Sequence, residues 1–238
     1  YVVGNPPWVN WESLPEEYRD AMKPLWERYG LFSLKGMAVR LGGGKKDLSM
    51  LFAYACTDNY LKDGGRLGFV ITQTVFKSTG AGDGFRAFRY TRDPGRREER
   101  AYPLKVLAVH DMSGFQPFED ATNRTAVFAW EKGKKTSYPV PYTLWLKKGR
   151  HRIRGESLLS AVLKMTVRRE LVARPIQEDH PSSPWLVASK EATRALEKVV
   201  GASAYRAFEG VNTGGLNGVY WVRILEGLRG GNLLIVGQ

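Results

Sequence analysis

Residues 47–72 constrain the fold of this chain more than any other stretch. Asp47 is a good helix cap, and the apolar run after it, Leu48 to Leu61, contains neither Gly nor Pro. The spacing predicts a helix with Leu51, Phe52, Ala55 and Tyr60 on its inner side. Gly64 and Gly65 end it, because glycine reverses a chain at little steric cost. Arg66 to Thr72 is then a short apolar run of the kind that both faces of a sheet bury. Helix, double Gly and apolar strand make half of a βαβ unit. This predicts an α/β fold with a doubly wound, mostly parallel sheet.

Tyr1 to Gly4 reads as another buried parallel strand, and Asn5-Pro6-Pro7-Trp8 comes directly after it. Prolines fix φ and offer carbonyls but no N–H, so this corner is rigid and rich in acceptors. An amino nitrogen whose hydrogens are held by the Asn5 side-chain oxygen and the Pro6 carbonyl turns its lone pair outward for attack. The Trp8 ring can stack on an attached base, or can simply pack in the core.

The chain has 238 residues and a net charge of +12, from 36 Lys and Arg against 24 Asp and Glu. That balance favours a polyanionic partner, because each neutralised phosphate releases counterions. No apolar run approaches the ~18 residues that a membrane span needs. The opening inside a strand suggests a piece of a longer polypeptide. Cys56 is the single cysteine, which excludes an internal disulfide and points to a reducing cytoplasm. Cys56 reads as mid-helix core. His110, His151 and His180 show no ligand spacing, so no metal site is expected.

Elsewhere, Pro15 to Tyr29 reads as an amphipathic helix that Pro24 breaks or kinks. A short helix is expected around Phe85 to Tyr90, and an exposed charged linker over Arg92 to Arg100. Leu104 to Asp111 and Thr125 to Lys132 read as strands, the second closing on Gly133 as an antiparallel edge hairpin. From Pro139 the pattern weakens, with a helix around Glu156 to Leu163 and a Pro- and Ser-rich stretch from Pro175 to Pro184. Ser189 to Val200 reads as a capped helix. The expected division is a catalytic half over 1–150, a linker over 151–183 and the start of a recognition domain over 184–238.

Together these segments resemble the carboxyl-terminal half of a gamma-class adenine-N6 DNA methyltransferase, of the kind found in fused restriction–modification enzymes and phage-defence systems. Asn5-Pro6-Pro7-Trp8 is similar to that family's NPPY motif, with the less usual Trp in last place. Lys46 to Phe52 resembles the helix opening beside the cofactor, Gly64 to Ile71 its fifth strand, and Phe118 to Val127 the loop whose Phe packs on the flipped adenine. Pro184-Trp185-Leu186 and Glu209 to Asn217 resemble the opening of the target-recognition domain.

The resemblance implies a partial Rossmann-like methyltransferase fold that uses S-adenosylmethionine, followed by part of an α+β recognition domain. It implies double-stranded DNA as partner, with the rest of the parent polypeptide. Asn5, Pro6, Pro7 and Trp8 would be catalytic, and Trp8 and Phe118 would clamp the base, with Phe115 as second candidate. Asn5 and Asp47 would face the cofactor, whose main loop lies upstream of the motif in the family and is missing from this sequence. Asp47 reads equally as a plain helix cap. Lys147, Lys148, Arg150, Arg152 and Arg154 form a basic run that tracks a phosphate backbone or is a solvated linker. Glutamine-N5 protein methyltransferases and some RNA methyltransferases use a similar loop, and a non-catalytic DNA-binding piece is a third reading.

Overall fold

The computed structural model describes residues 1–32, 46–91, 101–115, 117–118, 121–149, 153, 157–196, 198, 205, 222–224 and 235–237. The chain separates into two compact units, Tyr1–Glu197 and Lys198–Gln238. In the second, β9 (Val222–Ile224) and β10 (Ile235–Gly237) pair antiparallel.

The first unit is built on one sheet in the order β1-β2-β5-β4-β6-β7-β8. Its strands are β1 (Val2–Gly4), β2 (Arg66–Thr72), β4 (Tyr102–Gly114), β5 (Thr125–Lys132), β6 (Val140–Lys147), β7 (Thr166–Pro175) and β8 (Trp185–Ala188), with β3 (Arg89–Tyr90) pairing β4 off the main path. The helices are α1 (Glu16–Arg28), α2 (Leu48–Tyr60), α3 (Thr74–Lys77), α4 (Asp83–Arg86), α5 (Leu159–Met165) and α6 (Lys190–Leu196). Among the described residues no helix is long and apolar enough to cross a membrane.

The expected α/β class holds, and the first strand is parallel as read, pairing with β2 with Val2 opposite Leu67 and Gly4 opposite Phe69. It is not buried as expected, because it lies at the sheet edge with Val3 and Gly4 exposed. The parallel share is smaller than expected: β4/β6 is the other parallel pair, while β2/β5, β4/β5, β6/β7 and β7/β8 run antiparallel. The hairpin β4/β5 exists in the expected place but is no edge, because β6 pairs with β4 on its far side. β6 and β7 occupy stretches read as irregular. β7 lies within the segment expected to be a linker, and Pro184-Trp185-Leu186 leads into β8 of the same sheet.

α2 begins at Leu48 with Asp47 as its cap, as expected. Its buried face differs: Leu48, Met50, Leu51, Ala53, Tyr54, Thr57 and Asp58 are inside, whereas Phe52 and Tyr60 are exposed. The helix is apolar nearly all round, so its own periodicity cannot choose a face; contacts with the sheet do. Tyr54 meets Trp130 at 5.3 Å edge-on and donates to the Phe85 carbonyl at 2.7 Å. At the other end Lys132 Nζ, buried, donates to the carbonyls of Thr57, Asp58 and Leu61 at 2.7–3.2 Å. It satisfies acceptors that a helix terminus leaves open and places a cation at the negative end of the dipole.

Gly64 comes next at φ +79°, the left-handed turn the double glycine predicts. α1 runs unbroken through Pro24, which faces solvent. The expected helix near Phe85 is the single turn of α4, succeeded by β3. α6 covers Lys190–Leu196 of the stretch read as a capped helix, with Ser189 Oγ accepting from Ala192 N at 3.1 Å. The stretches 92–100 and 209–217, read as a charged linker and as part of a recognition domain, lie outside the described residues.

Candidate active site

Pairing directions bring several carboxyl ends together. β1, β2, β4 and β6 all point one way, so Asn5, Gln73, Phe115 and Lys147 emerge at one end of the sheet. Ligand sites of open α/β sheets form at such ends.

Asn5 stands at this end, exposed, with no hydrogen-bond partner for its carboxamide among the described residues. Pro6 is buried and Pro7 exposed, so the first proline anchors the corner. Trp8 is half-buried, and its indole N–H donates to the Val70 carbonyl at 3.2 Å, one residue past the last β1/β2 pair. That bond fixes the plane of the ring. Behind the corner, Leu48 N donates to Val9 O at 2.9 Å and Trp11 N to Lys46 O at 2.7 Å, forming an isolated bridge between Asn10 and Asp47. The corner is thereby tied to the start of α2.

Trp8 and Phe118 do meet, with ring centroids 5.0 Å apart and planes at 74°. The expected clamp needs adjustment on this point. Two rings in edge contact leave no slot between them, so a base on Trp8 must take the place that the Phe118 edge occupies. Phe115 packs elsewhere, tilted against Trp145 at 6.3 Å.

Asp47 is 4% exposed and accepts from Ser49 N at 2.8 Å. Burial pushes its carboxyl above the ordinary range, with hydrogen bonds from Ser49 and Thr72 acting the other way. Of the two residues expected at the cofactor, Asn5 is exposed with an open carboxamide. Asp47 is buried and spends its carboxylate on the helix cap, while the backbone of Lys46 and Leu48 on either side of it bonds to Trp11 and Val9. Lys147 is half-exposed and Lys148 exposed, while Arg150, Arg152 and Arg154 lie outside the described residues.

The sequence did not reveal a buried polar cluster at the same end. Asp111 is fully buried and accepts from Gln73 Nε2 at 3.0 Å, the Tyr142 hydroxyl, Ser113 N at 2.9 Å and Lys77 Nζ at 3.4 Å. Burial alone raises this carboxyl, but the bonds from Ser113 and Tyr142 and the charge of Lys77 outweigh it and hold it below its usual range. Asp111 thus joins Gln73 and Lys77, just after β2, to Tyr142 on β6. The signal that could have found it is an acid at a strand end, just before Ser113 and Gly114. Cavities of about 460 Å³ and 400 Å³ lie elsewhere, the first beside Tyr138, Val172 and Arg194, the second beside Arg28, Ala87 and Tyr90.

Residues 1–92 match the family model of the Eco57I restriction-modification methylase. This segment is similar to restriction–modification methylases. It contains the Asn5–Trp8 corner, α2 and β2. No curated protein matches the chain. Among solved structures, it resembles the DrdV–DNA complex at 16% identity and a TM-score of 0.41, over 76% of this chain and 18% of that one. It also resembles a modification subunit of a putative type I restriction enzyme from Vibrio vulnificus YJ016, at 10% identity and 0.40, over 79% and 36%. A nuclease-deletion mutant of the type ISP restriction-modification enzyme LlaGI, in complex with a DNA substrate mimic, matches at 16% and 0.41, over 75% and 15%. The chain therefore spans well under half the length of each.

Proposed function

We propose that this chain carries the acceptor side of a DNA methyltransferase, which moves a methyl group from S-adenosylmethionine to N6 of an adenine flipped out of a duplex. The observation that carries the reading is the Asn5 carboxamide, exposed at the carboxyl end of a parallel-paired strand with Trp8 and Phe118 in contact beside it. The similarity of residues 1–92 to restriction–modification methylases supports the reaction class. A net charge of +12 supports DNA as the partner.

Adenine N6 is a weak nucleophile because its lone pair conjugates with the ring. Asn5 Oδ1 and the Pro6 carbonyl accept its two hydrogens, draw the nitrogen toward tetrahedral geometry and offset the positive charge that develops. The prolines offer no competing donors. Trp8, its plane fixed by the bond to Val70, gives the extruded base a stacking surface worth about 1–3 kcal/mol. Phe118 yields its edge position and closes beside the base. When bound, S-adenosylmethionine supplies a methyl group on a sulfonium, so no covalent enzyme intermediate is needed. Asn5 meets the cofactor side directly and Asp47 supports it from behind. Lys147 and Lys148, with Arg150 and Arg152, contact phosphates.

Tritium transfer from S-adenosylmethionine to duplex DNA, by the full-length protein, tests this. Asn5→Ala lowers the rate by about 10²–10³-fold, the scale of one lost electrostatic contact to the transition state, and leaves DNA affinity nearly intact. Label appearing only in protein or RNA, or an Asn5→Ala variant as fast as the parent, overturns the reading.

A further inference from the structure

A second constellation occupies this end of the sheet, on β4, β6 and β7. Trp145 on β6 is half-buried, and its indole N–H donates to His110 Nδ1 at 3.3 Å. Directly across the β6/β7 ladder is Arg168, whose guanidinium carbon lies 5.6 Å from the centroid of the Trp145 ring. Strand register, not surface chance, sets this pair. Arg168 is exposed, and its guanidinium has no acid or hydrogen-bond acceptor among the described residues. The neighbouring acid, Glu170, accepts from Thr143 Oγ1 at 3.1 Å. Lys147 and Lys148 complete the strand end.

We propose that Arg168, seated on the Trp145 ring, is a phosphate-contact site for duplex DNA. The inference rests on the DNA-methyltransferase reading above and adds where the duplex runs. An arginine fork suits a phosphate because two parallel N–H groups meet two oxygens. An aromatic seat restricts the side chain beforehand, so less freedom is lost on binding. His110 holds the seat by accepting the indole N–H. Five strand spacings of about 4.8 Å separate β1 from β7, which puts Arg168 about 24 Å from the Asn5 strand. At about 3.4 Å per nucleotide along one strand, that is a phosphate about seven nucleotides from the flipped base. The sheet end would then lie along the duplex, with the corner at one extremity and Arg168 toward the other.

Fluorescence anisotropy of this chain with labelled duplex, across a salt series, tests the proposal. Arg168→Ala should lower the slope of log affinity against log salt by about one and weaken binding equally on unrelated sequences. Arg168→Lys keeps the charge but loses the fork, and should recover only part of the affinity. Trp145→Leu removes no charge, yet should weaken binding in the same direction. Thermal melting of the Arg168 variants should match the parent, because the side chain is exposed. An Arg168→Ala chain that binds with the parent's affinity and slope overturns this inference alone. A parent chain that binds no duplex at low salt overturns it together with the DNA reading.

Discussion

Asp47 carries two duties that conflict electrostatically. As a helix cap it uses one oxygen on Ser49 N, and as a buried group it pays for its charge. Its carboxyl is raised by burial, so the ionised form is less stable folded than unfolded. Its contribution is therefore most favourable below the ordinary carboxylate value and declines as pH rises through the raised one. Asp47→Asn keeps the cap without the charge. Urea unfolding should find this variant at least as stable as the parent at neutral pH, with a weaker pH dependence between the ordinary carboxylate value and the raised one. Asp47→Ala should cost about 1 kcal/mol at neutral pH, because the cap itself is gone. Asn5 is the opposite case, exposed and unpartnered, and its substitution is expected to touch rate alone.

At the scale of elements, α2 and the two strands after the hairpin show where pattern reading works and where it stops. The start of α2 was legible because a capping acid and an uninterrupted apolar run are local signals. Its inner face was not, because an all-round apolar helix is oriented by its neighbours. β6 and β7 escaped notice for a related reason. β6 contains Pro141, and β7 exposes Val167, Arg168, Arg169 and Glu170, so neither shows a clean apolar period. Their strand state comes from ladder bonds to β4 and to each other. Lys132 is an element-scale device of the same non-local kind, a strand residue that caps a distant helix. Lys132→Met removes the three donations to Thr57, Asp58 and Leu61 and leaves buried carbonyls open. It should cost about 2 kcal/mol in denaturant unfolding, and Lys132→Arg should not restore it, since the planar fork cannot replace a compact ammonium.

Across the whole molecule, Arg86 ties the helical turns after β2 to the far edge of the sheet. Its guanidinium is fully buried and donates to the carbonyls of Val75 and Ser78, to the Asp83 carboxylate, and to Ser182 and Ser183 just before β8. Trp185 then stacks on Phe76 at 4.9 Å. One side chain therefore joins α3, α4 and the approach to β8 within a single cooperative unit. Arg86→Met should lower stability by about 3 kcal/mol, read by chemical denaturation, because several buried acceptors lose their donor at once. Arg86→Lys should rescue little of it.

The amino-acid sequence alone determined the strand–Asn-Pro-Pro-Trp corner, the capped helix, the glycine turn, the strand after it and the hairpin, because each is a local matter of φ, capping and apolar run. It also paired Trp8 with Phe118, through the resemblance rather than through any period. Only the tertiary structure decided that the hairpin lies inside the sheet, that 166–175 is a strand, and that Asp111, Arg86 and Trp145 gather partners from distant segments. Those outcomes depend on which ladders close and which polar groups find donors once water is excluded, and neither is written in the spacing of residues along the chain.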